Sequence, residues 1–189
     1  MRVIAGKARR LALVAPKGDK VRPTTDRTKE TLFNILAPLL RDSIVLDVFS
    51  GSGAIGIEAL SRGAKKAYFI ENDPEAQACI RENLSRTGLE AQGEILPYDF
   101  ARALDILKGR QVQADLVFLD PPYGKGLEEQ AIGRILGNGL LAPEGTLVCE
   151  SAEDTGFSFL EAFPPWEVER EKRFKTNKFT WVKGKRDKG

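Results

Sequence analysis

The sequence has no histidine and only two cysteines, Cys79 and Cys149, among its 189 residues. Histidine is the commonest metal ligand in proteins and the usual general base of Ser-His-Asp sites, so both kinds of site lose their main participant. The two cysteines are far apart in sequence, and their spacing fits neither a disulfide framework nor a metal site. We therefore expect no metal, and any catalysis has to use carboxylates, amides, backbone groups or a cofactor.

Long apolar runs are also missing. No stretch reaches the ~18–20 apolar residues that a membrane helix needs, and residues 1–7 lack the apolar core of a secretory signal. We expect a cytoplasmic protein with no membrane partner. Hydrophobic residues make up 42% and charged residues 30% of the chain, which are ordinary globular values.

The net charge of +2 hides an uneven distribution along the chain. Residues 1–30 hold nine basic and three acidic residues, residues 166–189 hold nine and four, and residues 31–165 hold 11 and 20. Two basic ends on an acidic body favour a polyanionic partner if the ends meet on one face. Basic ends that are merely solvated would give the same pattern.

Apolar periodicity predicts the secondary structure. Strands are predicted at residues 44–49, 67–71, 93–96, 115–119 and 145–150, with a closing antiparallel pair at 166–174 and 179–183. Helices are predicted at residues 27–40, 54–61, 74–86, 101–108 and 127–136. Strands that are apolar throughout and alternate with helices are typical of a parallel sheet covered on both faces.

We therefore predict an α/β fold with a doubly wound, mostly parallel, seven-stranded Rossmann-like sheet. Residues 1–25 are predicted to form a short basic arm or hairpin, and residues 26–189 the main domain, which makes a single globular domain overall. Ligands of such sheets bind at the carboxyl ends of the strands.

The segment at residues 47–56 (DVFSGSGAIG) is a G-x-G-x-x-G pattern between a predicted strand and a predicted helix. The glycines allow a tight turn and a close approach to a ligand. A dinucleotide fits this pattern, with Glu71 on a ribose hydroxyl. However, Asp47 at the strand end places a carboxylate where an ammonium is better received than a pyrophosphate. S-adenosylmethionine has an ammonium and a ribose but no phosphate, which favours it as the cofactor.

Two further acidic positions follow predicted strands. Asp99 can accept a hydrogen bond from an adenine amino group while Phe100 packs on the ring. Asp120-Pro121-Pro122-Tyr123 comes directly after the strand at 115–119, and its prolines hold the Asp120 carboxylate and the Pro121 carbonyl in a rigid arrangement. Both groups are acceptors for an exocyclic amine, and Tyr123 offers a face on which the base can stack.

Together, the loop at 47–56 and the Asp120–Tyr123 motif resemble the class I S-adenosylmethionine-dependent methyltransferases that modify exocyclic nitrogens. The segments RVIAGK at residues 2–7 and RPTTDRTKETLFNIL at residues 22–36 are similar to a narrower group. They resemble the RsmD family of bacterial 16S ribosomal RNA guanine-N2 methyltransferases. One departure is Phe174-Lys175, where the family pattern has an aromatic residue followed by glycine.

The resemblance implies that S-adenosylmethionine lies over the glycine turn, with its methionine end near Asp47 and its ribose on Glu71. The implied cofactor residues are Asp47, Phe49, Gly51, Gly53, Glu71, Asn72, Asp99 and Phe100, with Pro23, Thr24 and Thr25 closing over them. The implied catalytic residues are Asp120, Pro121, Pro122 and Tyr123. Contacts to RNA phosphates are implied for Arg2, Lys7, Arg9, Arg10, Arg22 and Arg27.

The implied function is methyl transfer to the N2 of a guanine in 16S ribosomal RNA, by a monomer acting on the RNA or on an assembling small subunit. A DNA adenine-N6 or cytosine-N4 methyltransferase is the nearest alternative, because the Asp120 motif suits any exocyclic amine. A nicotinamide oxidoreductase and a non-catalytic RNA-binding module are the alternatives from other classes.

Overall fold

A computed structural model describes residues 1–16 and 26–185 of the chain. Its regular elements, in chain order, are α1 (Asp26–Leu40), β1 (Ile44–Val48), α2 (Ala54–Ser61), β2 (Lys66–Ile70), α3 (Pro74–Thr87), β3 (Gly93–Leu96), α4 (Phe100–Gly109), β4 (Ala114–Leu119), α5 (Leu127–Gly137), β5 (Leu141–Ala152), β6 (Trp166–Arg173) and β7 (Asn177–Gly184). One turn of 3-10 helix, Ser158–Ala162, precedes β6.

All seven strands form one sheet in the order β3-β2-β1-β4-β5-β7-β6. Strands β1 to β5 are parallel, and β7 runs antiparallel between β5 and β6. The predicted doubly wound, mostly parallel seven-stranded sheet is confirmed. We call the edge where β1 to β5 end the carboxyl edge, and the opposite edge the amino edge. The strand order reverses between β1 and β4, which is where ligands bind in such sheets.

The central parallel strands β1, β4 and β5 are mostly buried on both faces, because helices cover both sides of the sheet. Phe118 and Val148 face a core formed with α1, α2 and α3, whereas their neighbours Val117 and Leu147 face a second core formed with α4 and α5. All eight residues of α2 are buried. Gly56 allows this close packing, since a Cβ there would lie only 2.4 Å from the Phe69 ring of β2.

Local signals explain where the helices begin and end. The Asp73 side chain accepts a hydrogen bond from Glu75 N at 2.9 Å, and Pro74 occupies the first turn of α3. Gly88 ends the same helix in the left-handed conformation, with φ of 65°. Strand β5 begins four residues earlier than predicted, because Leu141 pairs with Ala114 before a break in the register.

The N-terminal arm, residues 1–16, packs against α2 and α3. One antiparallel bridge joins Arg2 to Ala12, and Val3 and Leu13 are buried in the same core as α1 to α3. The arm turns at residues 5–10 beside the last residue of α2, where Lys7 N donates to Ser61 O at 2.9 Å. Because α2 starts at the carboxyl edge and runs back along the sheet, this turn lies at the amino edge.

Buried polar side chains hold the arm in place. The Glu58 carboxylate of α2 accepts hydrogen bonds from Ile4 N at 2.8 Å and Ala5 N at 3.0 Å, and it pairs with Lys29 of α1 at 3.5 Å. Asn83 of α3 exchanges two hydrogen bonds with the backbone of Val14. Among the helices within residues 1–16 and 26–185, none is long and apolar enough to cross a membrane.

Candidate functional site

The glycine turn after β1 is tied to the end of β2 by Glu71. One carboxylate oxygen of Glu71 accepts a hydrogen bond from Gly51 N at 2.8 Å, and the other accepts from Asp73 N at 2.9 Å. Gly51 and Gly53 have φ of 53° and 75°, a conformation that glycine adopts without strain. Each oxygen of Glu71 can still accept a further hydrogen bond, so the carboxylate remains able to bind hydroxyl groups.

Asp47 lies beneath the glycine turn. Its side chain is buried, and Oδ2 accepts a hydrogen bond from Gly56 N, in the first turn of α2, at 2.9 Å. Burial raises the pKa of Asp47 to about 7; the bond from Gly56 opposes this shift, and the negative charge of Glu71 adds to it. The backbone N–H of Gly56, at the start of α2, is therefore already bonded to the Asp47 carboxylate. A negatively charged side chain at this helix start disfavours a bound pyrophosphate and favours a bound cation.

An aromatic pair stands beside the turn. The rings of Phe49 and Phe100 lie 5.4 Å apart, and Phe49 has φ of 63°, which is uncommon for a residue other than glycine. Asp99 begins α4, and its Oδ1 accepts a hydrogen bond from Arg102 N at 3.1 Å. Asn72 is exposed directly after Glu71. The structure thus brings the predicted cofactor residues outside the segment 23–25 to the carboxyl ends of β1, β2 and β3.

A row of three carboxylates crosses the middle of the carboxyl edge. Asp120 follows β4, and because Leu119 is paired with Cys149, Asp120 lies beside Glu150 of β5. Side chains alternate between the two faces of a strand, so Asp47, Asp120 and Glu150 all point to the face that α1 to α3 cover. Burial, together with the charges of Glu150 and Asp47, raises the pKa of Asp120 well above its usual range.

Tyr123 presents its ring to solvent beside this row. The residue is 44% exposed, and its hydroxyl donates to Glu150 Oε1 at 3.3 Å. Asn177, the first residue of β7, donates from Nδ2 to the same oxygen at 2.5 Å. Partial burial and the charges of Glu150 and Asp120 raise the pKa of Tyr123, so the phenol stays protonated and remains a donor.

Sequence reasoning missed Glu150 and Asn177. A signal for Glu150 was present, because it is the last residue of the strand predicted at 145–150 and Glu71 was chosen on that same pattern. Asn177 carries no such signal, since only the antiparallel pairing of β7 with β5 brings it to Glu150.

The predicted proline pair lies between Asp120 and Tyr123. Pro121 is buried and Pro122 is exposed, so the pair holds Tyr123 outward from the sheet.

The predicted RNA-binding residues do not gather at this site. Lys7, Arg9 and Arg10 lie in the arm turn at the amino edge, where Lys7 Nζ donates to Gln92 Oε1. Arg2 is exposed, and its carbonyl accepts a hydrogen bond from Lys29 at the start of α1. Four other predicted residues lie outside the described part of the chain, namely Arg22, Pro23, Thr24 and Thr25, and so does the side chain of Arg27.

Comparison with known proteins places this geometry in a family. The model of the family described as "Conserved hypothetical protein 95" matches residues 1–183. The ribosomal RNA small subunit methyltransferase D of Escherichia coli strain K12 is 38% identical over 172 residues, which cover 91% of this chain and 84% of the relative. The protein of the same name from Haemophilus influenzae is 41% identical over 157 residues, covering 82% and 80%.

The chain belongs to the ribosomal RNA small subunit methyltransferase D family. A solved structure described as the putative methyltransferase yhhF from Escherichia coli superposes with a TM-score of 0.81 at 35% identity, covering 97% of each chain. The predicted membership of this family and the predicted methyltransferase fold are therefore confirmed. The chain is a methyltransferase, so the alternatives of an oxidoreductase and a non-catalytic binding module do not hold.

Proposed function

We propose that this methyltransferase transfers a methyl group from S-adenosylmethionine to the exocyclic N2 of a guanine in 16S ribosomal RNA. The observation that carries the proposal is the half-buried Asp120 beside the exposed ring of Tyr123, at the same sheet edge as the turn that Glu71 holds. The names of its relatives refer to ribosomal RNA of the small subunit. We further propose that the chain acts as a cytoplasmic monomer on the RNA or on an assembling subunit.

The residues present fit this cofactor. S-adenosylmethionine supplies an electrophilic methyl group on a cationic sulfonium, and it carries an ammonium as a second positive charge. The buried carboxylate of Asp47 offers the negative charge that such a ligand needs. We assign the ribose hydroxyls to Glu71 and the adenine to the surface formed by Phe49, Phe100, Asp99 and Asn72.

The chain's own residues can position the base. A guanine in a helix has to leave its stack to reach a buried site, and the exposed ring of Tyr123 offers it a stacking surface. Asp120 and the Pro121 carbonyl then accept the two N2 hydrogens, which aims the nitrogen at the methyl group. The N2–carbon bond forms as the sulfur–carbon bond breaks, and the N2 proton leaves to Asp120 or to water. Positioning supplies most of the acceleration.

The arrangement of Asp120 and Tyr123 also suits adenine N6 or cytosine N4, so the base has to be identified by experiment. The test incubates the enzyme with labelled S-adenosylmethionine and small subunits from cells that lack the endogenous enzyme, followed by nucleoside analysis. The expected product is N2-methylguanosine. Label in DNA adenine or cytosine instead would contradict the RNA assignment and leave the Asp120 site intact.

Asp120→Asn is expected to lower kcat by about 100-fold or more, because the new NH2 group cannot accept an N2 hydrogen or take up the N2 proton, and it misplaces the nitrogen. Cofactor binding, measured by calorimetry, should change little. Asp115→Asn is the matched control, since Asp115 lies on the same strand at the amino edge, where it accepts a hydrogen bond from Ile44 N. Equal activity of the two variants would exclude Asp120 from the reaction.

A further inference from the structure

The turn between β6 and β7 lies at the carboxyl edge. Strand β7 is antiparallel to β5 and therefore begins where β5 ends, with Asn177 paired to Ala152. Phe174 N donates to Asn177 O at 2.8 Å and closes the turn around Lys175 and Thr176. Lys175 is not among the described residues with positive φ, so a side chain is accommodated there without strain.

Hydrogen bonds fix this turn to the loop that carries Tyr123. The Tyr123 hydroxyl and the Asn177 amide both donate to Glu150 Oε1, at 3.3 and 2.5 Å. Lys125 is two residues after Tyr123, and Lys175 is two residues before Asn177; both lysines are exposed. The ring on which we place the guanine therefore has an exposed lysine in each of the two segments beside it.

Ion pairs within the chain distinguish these lysines from Arg173 and Lys178, two other basic residues of the β6–β7 hairpin. Arg173 pairs with Glu171 at 3.2 Å and Glu153 at 3.6 Å, and the buried Lys178 pairs with Glu171 at 2.6 Å. No ion pair joins Lys125 or Lys175 to another residue of the described ranges 1–16 and 26–185. Their positive charges are therefore available to an outside anion.

An RNA substrate needs such charges at this edge. The row of Asp47, Asp120 and Glu150 offers no positive charge to a phosphate, so a strand that enters the site requires cations around the row. The basic turn of the arm cannot provide them there. It lies at the amino edge, and the five residues of β1 separate the two edges by roughly 15 Å.

We infer that Lys125 and Lys175 bind the backbone phosphates on either side of the guanine that stacks on Tyr123. The inference rests on the proposed function and identifies the surface that receives its substrate. The Lys175 that departs from the family pattern thus adds a phosphate contact at the tip of the β6–β7 turn.

The test compares two double variants that remove the same charge, Lys125→Ala with Lys175→Ala and Arg9→Ala with Arg10→Ala. Binding to 16S ribosomal RNA is measured over a range of salt concentrations. Loss of one phosphate contact lowers the slope of log affinity against log salt by about 0.7–0.9. We expect the lysine pair to lower the slope by roughly twice this amount, and by more than the arginine pair does.

Methyl-transfer kinetics add a second readout. The lysine pair should raise KM for the RNA on the order of tenfold at low salt, with kcat and the Kd for the cofactor unchanged. Lys125→Arg with Lys175→Arg should restore the slope, which excludes a folding defect as the cause. A slope lowered no more by the lysine pair than by the arginine pair would overturn the inference. The slope of log affinity against log salt measures binding and does not depend on turnover. Failure of the wild-type enzyme to methylate RNA would therefore overturn the proposed function without deciding the inference about the lysines.

Discussion

At the scale of single residues, Asp47 combines a buried position with a negative charge that the hydrogen bond from Gly56 N compensates only in part. Burial raises the pKa of Asp47 to about 7, from an ordinary value of 3.8. The folded protein without ligand therefore favours the protonated acid. The stability that protonated Asp47 contributes is fully present below the pKa of this carboxyl in the unfolded chain. That stability is lost as pH rises through about 7.

A cationic ligand reverses this preference, which gives a measurable pH dependence. Binding of S-adenosylhomocysteine, which carries the ammonium, should tighten between pH 6 and pH 8 and release a proton near pH 7. Calorimetry in two buffers of different ionisation enthalpy measures the released proton directly. Asp47→Asn should remove both the proton release and the pH dependence. Equal affinity of the wild type at the two pH values would show that Asp47 does not sense the ligand.

The residues of the site could be predicted from the sequence where they follow the end of an apolar strand. Asp47, Glu71 and Asp120 each lie at or just after an apolar strand, and the structure brings all three to the carboxyl edge. Their partners were not predictable. The hydrogen bond from Gly56 to Asp47 needs the geometry of the turn, and the meeting of Tyr123 with Asn177 at one oxygen depends on the pairing of distant strands.

At the scale of elements, the N-terminal arm depends on one close contact between its turn and α2. Gly6 has φ of 86°, and a Cβ at this position would lie 1.9 Å from Ser61 O. The clash is with backbone, so neither segment can move aside without loss of the hydrogen bonds around Ser61.

Gly6→Ala should therefore lower the free energy of unfolding by about 3 kcal/mol or more, from overpacking together with left-handed strain. Gly88→Ala is the matched control, because Gly88 has φ of 65° but open space around it. The control should cost only about 1–2 kcal/mol. Urea unfolding measures both values, and equal losses would mean that the arm turn does not pack tightly on α2.

Element boundaries followed from local sequence, whereas the placement of the arm did not. The helix predicted at 54–61 and the strand predicted at 93–96 match α2 and β3 residue for residue, because glycine and apolar runs mark their ends. The position of the arm turn is set by Glu58, Ser61 and Asn83, which lie 50 or more residues away in sequence. No local pattern could show that Lys7, Arg9 and Arg10 lie at the amino edge, opposite the carboxyl edge.

At the scale of the whole molecule, the arm and the sheet share one core. Val3 and Leu13 of the arm belong to the same buried cluster as Phe118 of β4 and Trp181 of β7. This continuity supports the prediction that residues 1–25 and 26–189 form a single globular domain.

One domain should unfold in one cooperative transition. We expect urea curves from far-ultraviolet circular dichroism, tryptophan fluorescence and protease protection of the arm to coincide. Trp166 and Trp181 report on β6 and β7, whereas proteolysis within residues 1–16 reports on the arm. Cleavage of the arm at urea concentrations that leave the fluorescence unchanged would contradict the single-domain prediction.

The outer strand β6 leaves one edge of the sheet open to solvent. Its residues between Trp166 and Arg173 are mostly exposed, and they are mostly glutamate, arginine and lysine. A second copy that added its own β6 to this edge would bring crowded charges together and leave them poorly solvated. The open edge therefore resists aggregation even in a concentrated solution, and the β6–β7 turn at its end is not covered by a second copy.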